Sequence, residues 1–317
     1  MLKKYADKFN LVSIPNARSL HQKRVPQGGG VVIGLVFLSF CIFSYFSGNL
    51  RLPYFLAIFY GGLVICITGF LDDIFDIKPF IRLIIQVIVS LWGLYWIGGI
   101  KTNTLLDTVP LLFLIFNLFS IILVVWSINA FNFMDGIDGM AASGAIFFSL
   151  SIGTYLFFGL NEALGTLLII LAASSLAFLY FNWSPAKIFL GDSGSYFFGY
   201  VFVIISMITV KDSHLSVITW LIILGYFITD TAFTTIYRFL FVEDWSGTHR
   251  SHAYQNIARK LNNHKIVTVL VIAINIFYLL PLAYISNQYL DYKWYALVLG
   301  ITPILLFVLK YGPRYEE

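Results

Sequence analysis

Ten apolar runs, each about the length that crosses a bilayer as a helix, follow one another along this 317-residue chain. They fall at residues 31–47, 54–71, 80–99, 109–128, 140–159, 163–181, 195–210, 215–238, 266–286 and 293–310. In lipid, every backbone N–H and C=O must be paired within the protein, which leaves only helices or closed barrels. The short alternating segments of a barrel are absent. The expected fold class is therefore all-α: one polytopic transmembrane helical bundle of about ten membrane helices, with residues 1–317 as a single integral membrane domain. Composition agrees, because 59% hydrophobic against 11% charged residues leaves too little polar surface for a soluble domain of this size. The net charge of +4 does not suggest nucleic acid. Cys41 and Cys66 both lie in apolar runs and read as small buried hydrophobes.

Parity supplies an orientation. With the N-terminus in the cytoplasm and sides alternating at each helix, sixteen of the 20 Lys and Arg residues lie inside and four outside (Arg51, Lys101, Lys211 and Lys293), as the positive-inside rule requires. The same topology puts five unusually polar stretches at cytoplasmic helix ends: RSLHQKRVPQGGG (18–30), LDDIFDIKPFIR (71–82), NAFNFMDGIDGM (129–140), NWSPAKIFLGDSGS (182–195) and FVEDWSGTHRSHAYQ (241–255).

Together they provide acids, amides, cations and small residues, the groups needed for metal-assisted chemistry on a phosphate compound. Adjacent carboxylates such as Asp72 and Asp73 repel, and are useful only around a cation or a transferable proton. Helical spacing puts Asp72 and Asp76 on one face, with Asp73 turned away. Arg82, ten residues on and expected on the same helix, can hold a phosphate nearby. Asn129 and Asn132, then Asp135 and Asp138, repeat a three-residue spacing that lines up hard oxygen donors of the kind Mg²⁺ takes. Gly136 and Gly139 open the backbone there. Asp192 starts a helix among Gly and Ser residues, where a phosphate is attracted, and Phe189 offers a stacking surface for a base. Arg250, His249 and His252 in the last long connection suit phosphate or sugar hydroxyls. Asp230, costly in lipid, is expected to face the bundle interior and pair with Arg238.

In this order the motifs DDIFD, NAFNFMDGIDG and FLGDSGS resemble the polyprenyl-phosphate N-acetylhexosamine-1-phosphate transferases (glycosyltransferase family 4), from Ile14 to about Gln255. The resemblance implies that Asn132 and Asp192 hold Mg²⁺, with Mn²⁺ as a substitute. Asp72 and Asp73 would sit at the reacting phosphates, and which of them takes a proton stays open. Gly136, Ile137, Asp138 and Phe189 would bind the uracil and ribose. Lys23, Arg82, Asp135, Arg250 and His252 would contact phosphate or sugar. The implied reaction joins a UDP-N-acetylhexosamine to undecaprenyl phosphate at the cytoplasmic side of a bacterial inner membrane. It would release UMP and start a surface glycan such as O-antigen, or another envelope polymer. The implied partners are these two substrates and the lipid bilayer, and a homodimer is left open.

Two departures matter. The last loop reads HRSHAYQ where many members carry His-x-His-His, so only His252 aligns with the first His. That resembles the branch acting on 6-deoxy or other N-acetylhexosamines and leaves the sugar open. Similar enzymes also carry one more helix before IPNARSLH, and the expectation is that this helix is absent or that Met1 is an internal start. Of the rivals, an ion-coupled transporter would keep its acids near the midplane within inverted repeats. A CDP-alcohol phosphatidyltransferase would need an Arg that DGIDGMAASGAI lacks.

Overall fold

The computed structural model describes residues 11–13, 24–99, 109–159, 161–212, 214–242 and 250–314. Among them nine helices are long and apolar enough to span a membrane, and a bent pair makes a tenth span. In chain order the first five spans are α1 (Gly29–Phe46), α2 (Leu52–Phe75), α3 (Pro79–Ile97), α4 (Pro110–Phe133) and α5 (Met140–Gly159). They are followed by α6 (Glu162–Asn182), α7 (Asp192–Lys211), α8 (Val217–Ile223) and α9 (Gly225–Phe241). The short α10 (Ala253–Leu261), then α11 (His264–Gln288) and α12 (Leu290–Tyr311), complete the chain. The other regular element among the described residues is a two-residue antiparallel pairing of β1 (Val12–Ser13) with β2 (Val25–Pro26). The chain is a multi-pass membrane protein.

The helices start where the sequence supplies caps. Pro79 opens α3, the Asn161 side chain accepts the Leu164 N–H at 3.1 Å to start α6, and Ser216 does the same for Thr219 at α8. The eighth apolar run, expected as one helix, is broken by 83° between α8 and α9. The break falls at Gly225, where a methyl group would come within 3.1 Å of Ile301. Small residues at such a point let the axis turn while neighbouring helices close in.

The central element is α7, almost wholly buried between α2 and α4. Two hydrogen bonds tie it in: Tyr200 Oη donates to the Ala57 carbonyl at 2.8 Å, and Ser127 Oγ to that of Gly199 at 2.9 Å. At its C-terminal end, Asp212 binds Arg51 and accepts from Tyr54 Oη at 2.7 Å, while Lys211 donates to the Ile97 carbonyl. At its N-terminal end, Asp192 meets the polar ends of α2 and α4. The two ends of α7 thus mark opposite faces of the bundle, and the chemistry-bearing residues share one of them.

Candidate active site

The end of α2 builds the first part of the site. Asp76 takes a left-handed conformation (φ 50°) and its N–H donates to the Asp72 carbonyl at 3.0 Å, which ends the helix. Pro79 then begins α3. Asp76 is exposed outside the helix, so the expected Asp72–Asp76 face does not form. Arg82 belongs to the next helix, not to the one carrying Asp72, and the turn between folds it back. Its Nη1 donates to Asp72 Oδ2 at 2.9 Å and to Tyr196 Oη at 3.1 Å, while Tyr196 Oη donates to Asp72 Oδ2 at 2.8 Å. Asp72 Oδ1 accepts the Ile77 N–H at 2.8 Å. Asp72 is thus a buried hub that fixes Arg82.

Asp73 faces α7. Its Oδ1 accepts the Asp192 N–H at 2.9 Å and its Oδ2 the Ser193 N–H at 3.4 Å, so a carboxylate from α2 caps α7. This needs two glycines. Gly191 has φ 77°, and a methyl group there would lie 2.5 Å from Asp73 Oδ2; one at Gly69 would lie 2.3 Å from the Asp192 carbonyl oxygen. Gln27 Nε2 donates to the Asp73 carbonyl at 3.0 Å and brings the segment before α1 to the same point.

Sixty residues apart in sequence, Asn132 at the end of α4 and Asp192 meet directly: Nδ2 donates to Asp192 Oδ1 at 2.6 Å and to Ser195 Oγ at 3.2 Å. Asn129 does not join them. Its amide turns to Gln86 Oε1 on α3 at 2.8 Å, tying two helices together. Asp135 is half-buried, and among the described residues no hydrogen bond reaches its carboxylate. Burial, then the charges of Asp192, Asp73 and Asp138, push its carboxyl well above the usual carboxylate range.

Whether a divalent cation fits follows from these donors. Among the described residues no three His, Cys, Asp or Glu side chains converge as a ready-made metal cage. Mg²⁺ needs no such cage, because it usually takes one or two carboxylates plus substrate phosphates and water. The Asp192 carboxylate is a donor of that kind, and so is the Asn132 amide oxygen once the amide, whose nitrogen faces Asp192 here, turns over. The Asp73, Asp135 and Asp192 carboxyls crowd together where burial and mutual repulsion oppose their ionisation, and a cation would relieve both, so the residues fit.

The remaining expected residues divide. Gly136 donates its N–H to Tyr254 Oη at 2.9 Å, and Tyr254 Oη donates to the Phe133 carbonyl at 2.6 Å, stapling the acidic turn to α10. The side chain of Ile137 is buried in the core. Asp138 Oδ2 accepts the Ala186 N–H at 3.2 Å and lies 3.6 Å from His264 Nδ1. Burial pushes its carboxyl up, but His264, the Ala186 N–H and Ser184 outweigh this and hold it below the ordinary value. Phe189 is half-exposed, with its backbone paired to Pro26 and Gly29. Arg250 is half-buried. His252 is 1% exposed and directs Nδ1 at Asp230 Oδ1, 3.4 Å away, which makes it an interior group and not an open ligand. Asp230 does face the interior. Its partners are His252, the Thr234 hydroxyl one turn along α9 at 3.3 Å and the N–H groups of Ala253 and Tyr254 at 3.0 and 3.1 Å, not Arg238, because the start of α10 comes to it. Lys23 and His249 lie outside the described residues.

Sequence reasoning missed Tyr196 and Tyr254. Tyr196 stands four residues after Asp192 and so on the same helical face, a signal available from spacing alone. Tyr254 had none, since its partners lie 118 and 121 positions away. An apolar groove begins one turn from Asn132, lined by Leu123, Ala130, Phe131, Met207, Trp220 and Phe227.

Tyr196→Phe is expected to lower stability by about 1.5–3 kcal/mol, the range for a buried hydrogen bond to a charged group, with the midpoint of thermal unfolding in detergent as the check. For Asp138, a lowered native value adds stability above the usual carboxylate range that is lost as the pH falls below it. Asp138→Asn should therefore melt below the parent at neutral pH and converge with it in acid. An unchanged gap across that range would remove this role.

A bundle of membrane-crossing helices with phosphate-competent acids, amides and a guanidinium gathered at one face has the architecture of a multi-pass membrane phosphotransferase. The sequence matches the model for Glycosyl transferase family 4 over residues 55–210. It is 30% identical over 282 residues to a "Probable undecaprenyl-phosphate N-acetylglucosaminyl 1-phosphate transferase" of Bacillus subtilis (strain 168), covering 86% of this chain and 76% of that one. It is 28% identical over 272 residues to an undecaprenyl-phosphate alpha-N-acetylglucosaminyl 1-phosphate transferase of Thermotoga maritima (86% and 81%). Likeness extends to a phospho-N-acetylmuramoyl-pentapeptide-transferase of Bacillus licheniformis, 29% identical over 234 residues (67% and 68%). The chain belongs to glycosyl transferase family 4 and is a phosphoglycosyl transferase.

Proposed function

We propose that this enzyme transfers an N-acetylhexosamine 1-phosphate from a UDP-sugar to undecaprenyl phosphate at the cytoplasmic face of a bacterial inner membrane, starting a lipid-linked surface glycan such as O-antigen. The observation that carries the reading is the meeting of Asn132 and Asp192 at 2.6 Å, beside Asp73 and Asp135. The acceptor named for the Bacillus subtilis and Thermotoga maritima relatives supports the lipid substrate, and the apolar groove next to Asn132 suits its chain. The start of O-antigen rests on the form of the last loop, HRSHAYQ.

In this reading a phosphate oxygen of the lipid attacks the sugar-bearing phosphorus in line. The P–O bond to the second phosphate breaks, and UMP leaves. Mg²⁺, held by Asn132 and Asp192, would neutralise phosphate charge as the bond breaks. Asp72 keeps Arg82 at the edge of the site, where its remaining N–H groups can contact a phosphate. Asp73 fixes the first turn of α7 and with it the direction of the Asp192 side chain. Tyr254 holds the turn that carries Asp135. A lipid monophosphate is largely ionised near neutral pH and can attack without a base, which suits two carboxylates already engaged as anchors.

The test uses purified protein, undecaprenyl phosphate and a panel of UDP-N-acetylhexosamines, 6-deoxy forms included, with UMP release as the readout. The expected result is lipid-dependent UMP release with one donor strongly preferred. Release without lipid, or none with any donor, would overturn the reading.

A further inference from the structure

A second apolar groove, sharing no lining residue with the one beside Asn132, lies among α9, α10, α11 and α12. Its cavity is about 250 Å³, walled by Tyr226, Ile257, Leu270, Ile274, Ile304 and Phe307. Both long walls depart from regular winding. The π-helical turn Asn275–Leu279 interrupts α11, and Pro303 sits inside α12. Leu270 is exposed, so the groove opens to the lipid side of the bundle.

Cations crown one end. Ile257 and Lys260, like Phe307 and Lys310, are three residues apart and share a helical face. The Lys260 and Lys310 ammoniums lie 5.7 and 5.2 Å from the ring centroid of Tyr311, whose ring packs 5.1 Å from that of Phe307. The Arg314 guanidinium stands 5.2 Å from the ring of Tyr237. Among the described residues no carboxylate is ion-paired with Lys310 or Arg314. These groups sit on the face of the bundle that carries the site, since α10 also carries Tyr254.

We propose that this groove seats one acyl chain of an anionic phospholipid, with the headgroup phosphate held by Lys260 and Lys310. A dry slot that opens to lipid and ends in two ammoniums complements a molecule with an apolar tail and an anionic head. A zwitterionic lipid offers the tail without the net charge. Near an anionic membrane surface each Lys contributes about 1 kcal/mol, so removing both corresponds to an affinity loss of about thirtyfold.

The experiment is a lipid titration followed by native mass spectrometry on the detergent-purified full chain. Wild type is compared with Lys260→Gln/Lys310→Gln and with Leu270→Trp, which narrows the slot and keeps both cations. The probes are phosphatidylglycerol and phosphatidylcholine with identical chains, and undecaprenyl phosphate as competitor. One phosphatidylglycerol is expected to bind the wild type, about thirtyfold more weakly to the double variant, and more weakly to Leu270→Trp. Phosphatidylcholine should bind weakly and alike to wild type and the double variant, which also checks that the latter is folded. Equal phosphatidylglycerol affinity in wild type and double variant would overturn the proposal, as would its displacement by one equivalent of undecaprenyl phosphate.

Discussion

Asp192→Asn is expected to lower the turnover of sugar-phosphate transfer by about 10²–10³-fold, the scale on which losing one preorganised electrostatic group acts, while the bundle stays folded. The substitution is isosteric. It keeps the Asp192 N–H on Asp73 and leaves an oxygen for the Asn132 amide, so the contacts that dock α7 between α2 and α4 survive. What it removes is one of three crowded acids, leaving Asp73 and Asp135. The thermal midpoint of the variant should therefore match or exceed that of the parent, as expected where function keeps like charges together. Turnover and melting measured on one preparation separate the two effects. A variant that melts early and loses activity would mean that Asp192 is mainly structural.

Gly69→Val is expected to do the reverse, losing stability first and activity as a consequence. A Cβ at Gly69 would sit 2.3 Å from the Asp192 carbonyl oxygen, 2.4 Å from its carbon and 2.5 Å from the Ser193 nitrogen. All three are backbone atoms that no rotamer can move. Overfilling a packed interior costs about 1–3 kcal/mol when side chains can adjust, and here the helices themselves must separate. Moving α2 away from α7 also takes Asp73 off the Asp192 and Ser193 N–H groups, and uncapping a helix start costs about 0.5–2 kcal/mol more. The check is the yield of folded protein and its melting midpoint, with Gly69→Ala as the milder case. A Val variant that melts like the parent would show that α2 and α7 are not in this contact.

The contrast between these variants shows what could be read from sequence. The spans were legible because a bilayer demands long apolar runs: the run at 140–159 is the helix Met140–Gly159. The break between α8 and α9 was not, because hydropathy records composition and not direction. The gathering of Asp72, Asp73, Asn132, Asp135 and Asp192 was legible through topology, since parity puts their helix ends on one face. Which atoms engage was not. Asp76 and Arg82 stand elsewhere than unbroken helical spacing predicts, because the helix ends in the turn at Asp76–Pro79, where the residue before proline is driven out of the helical region. Asn129 read as a ligand beside Asn132, yet a buried amide needs partners, and Gln86 on a neighbouring helix supplies one. His252 read as an open ligand because nothing local reveals that Asp230, buried in α9, draws the start of α10 onto itself.

The proposed chemistry requires that α4 and α7 hold one divalent cation between them. The most direct test is titration of Mn²⁺ followed by electron paramagnetic resonance, with UMP present to supply phosphate oxygens, on wild type, Asn132→Ala and Asp192→Asn. One Mn²⁺ site is expected in the wild type and its loss in both variants, although the two residues lie sixty positions apart. Undiminished Mn²⁺ binding in either variant would contradict it.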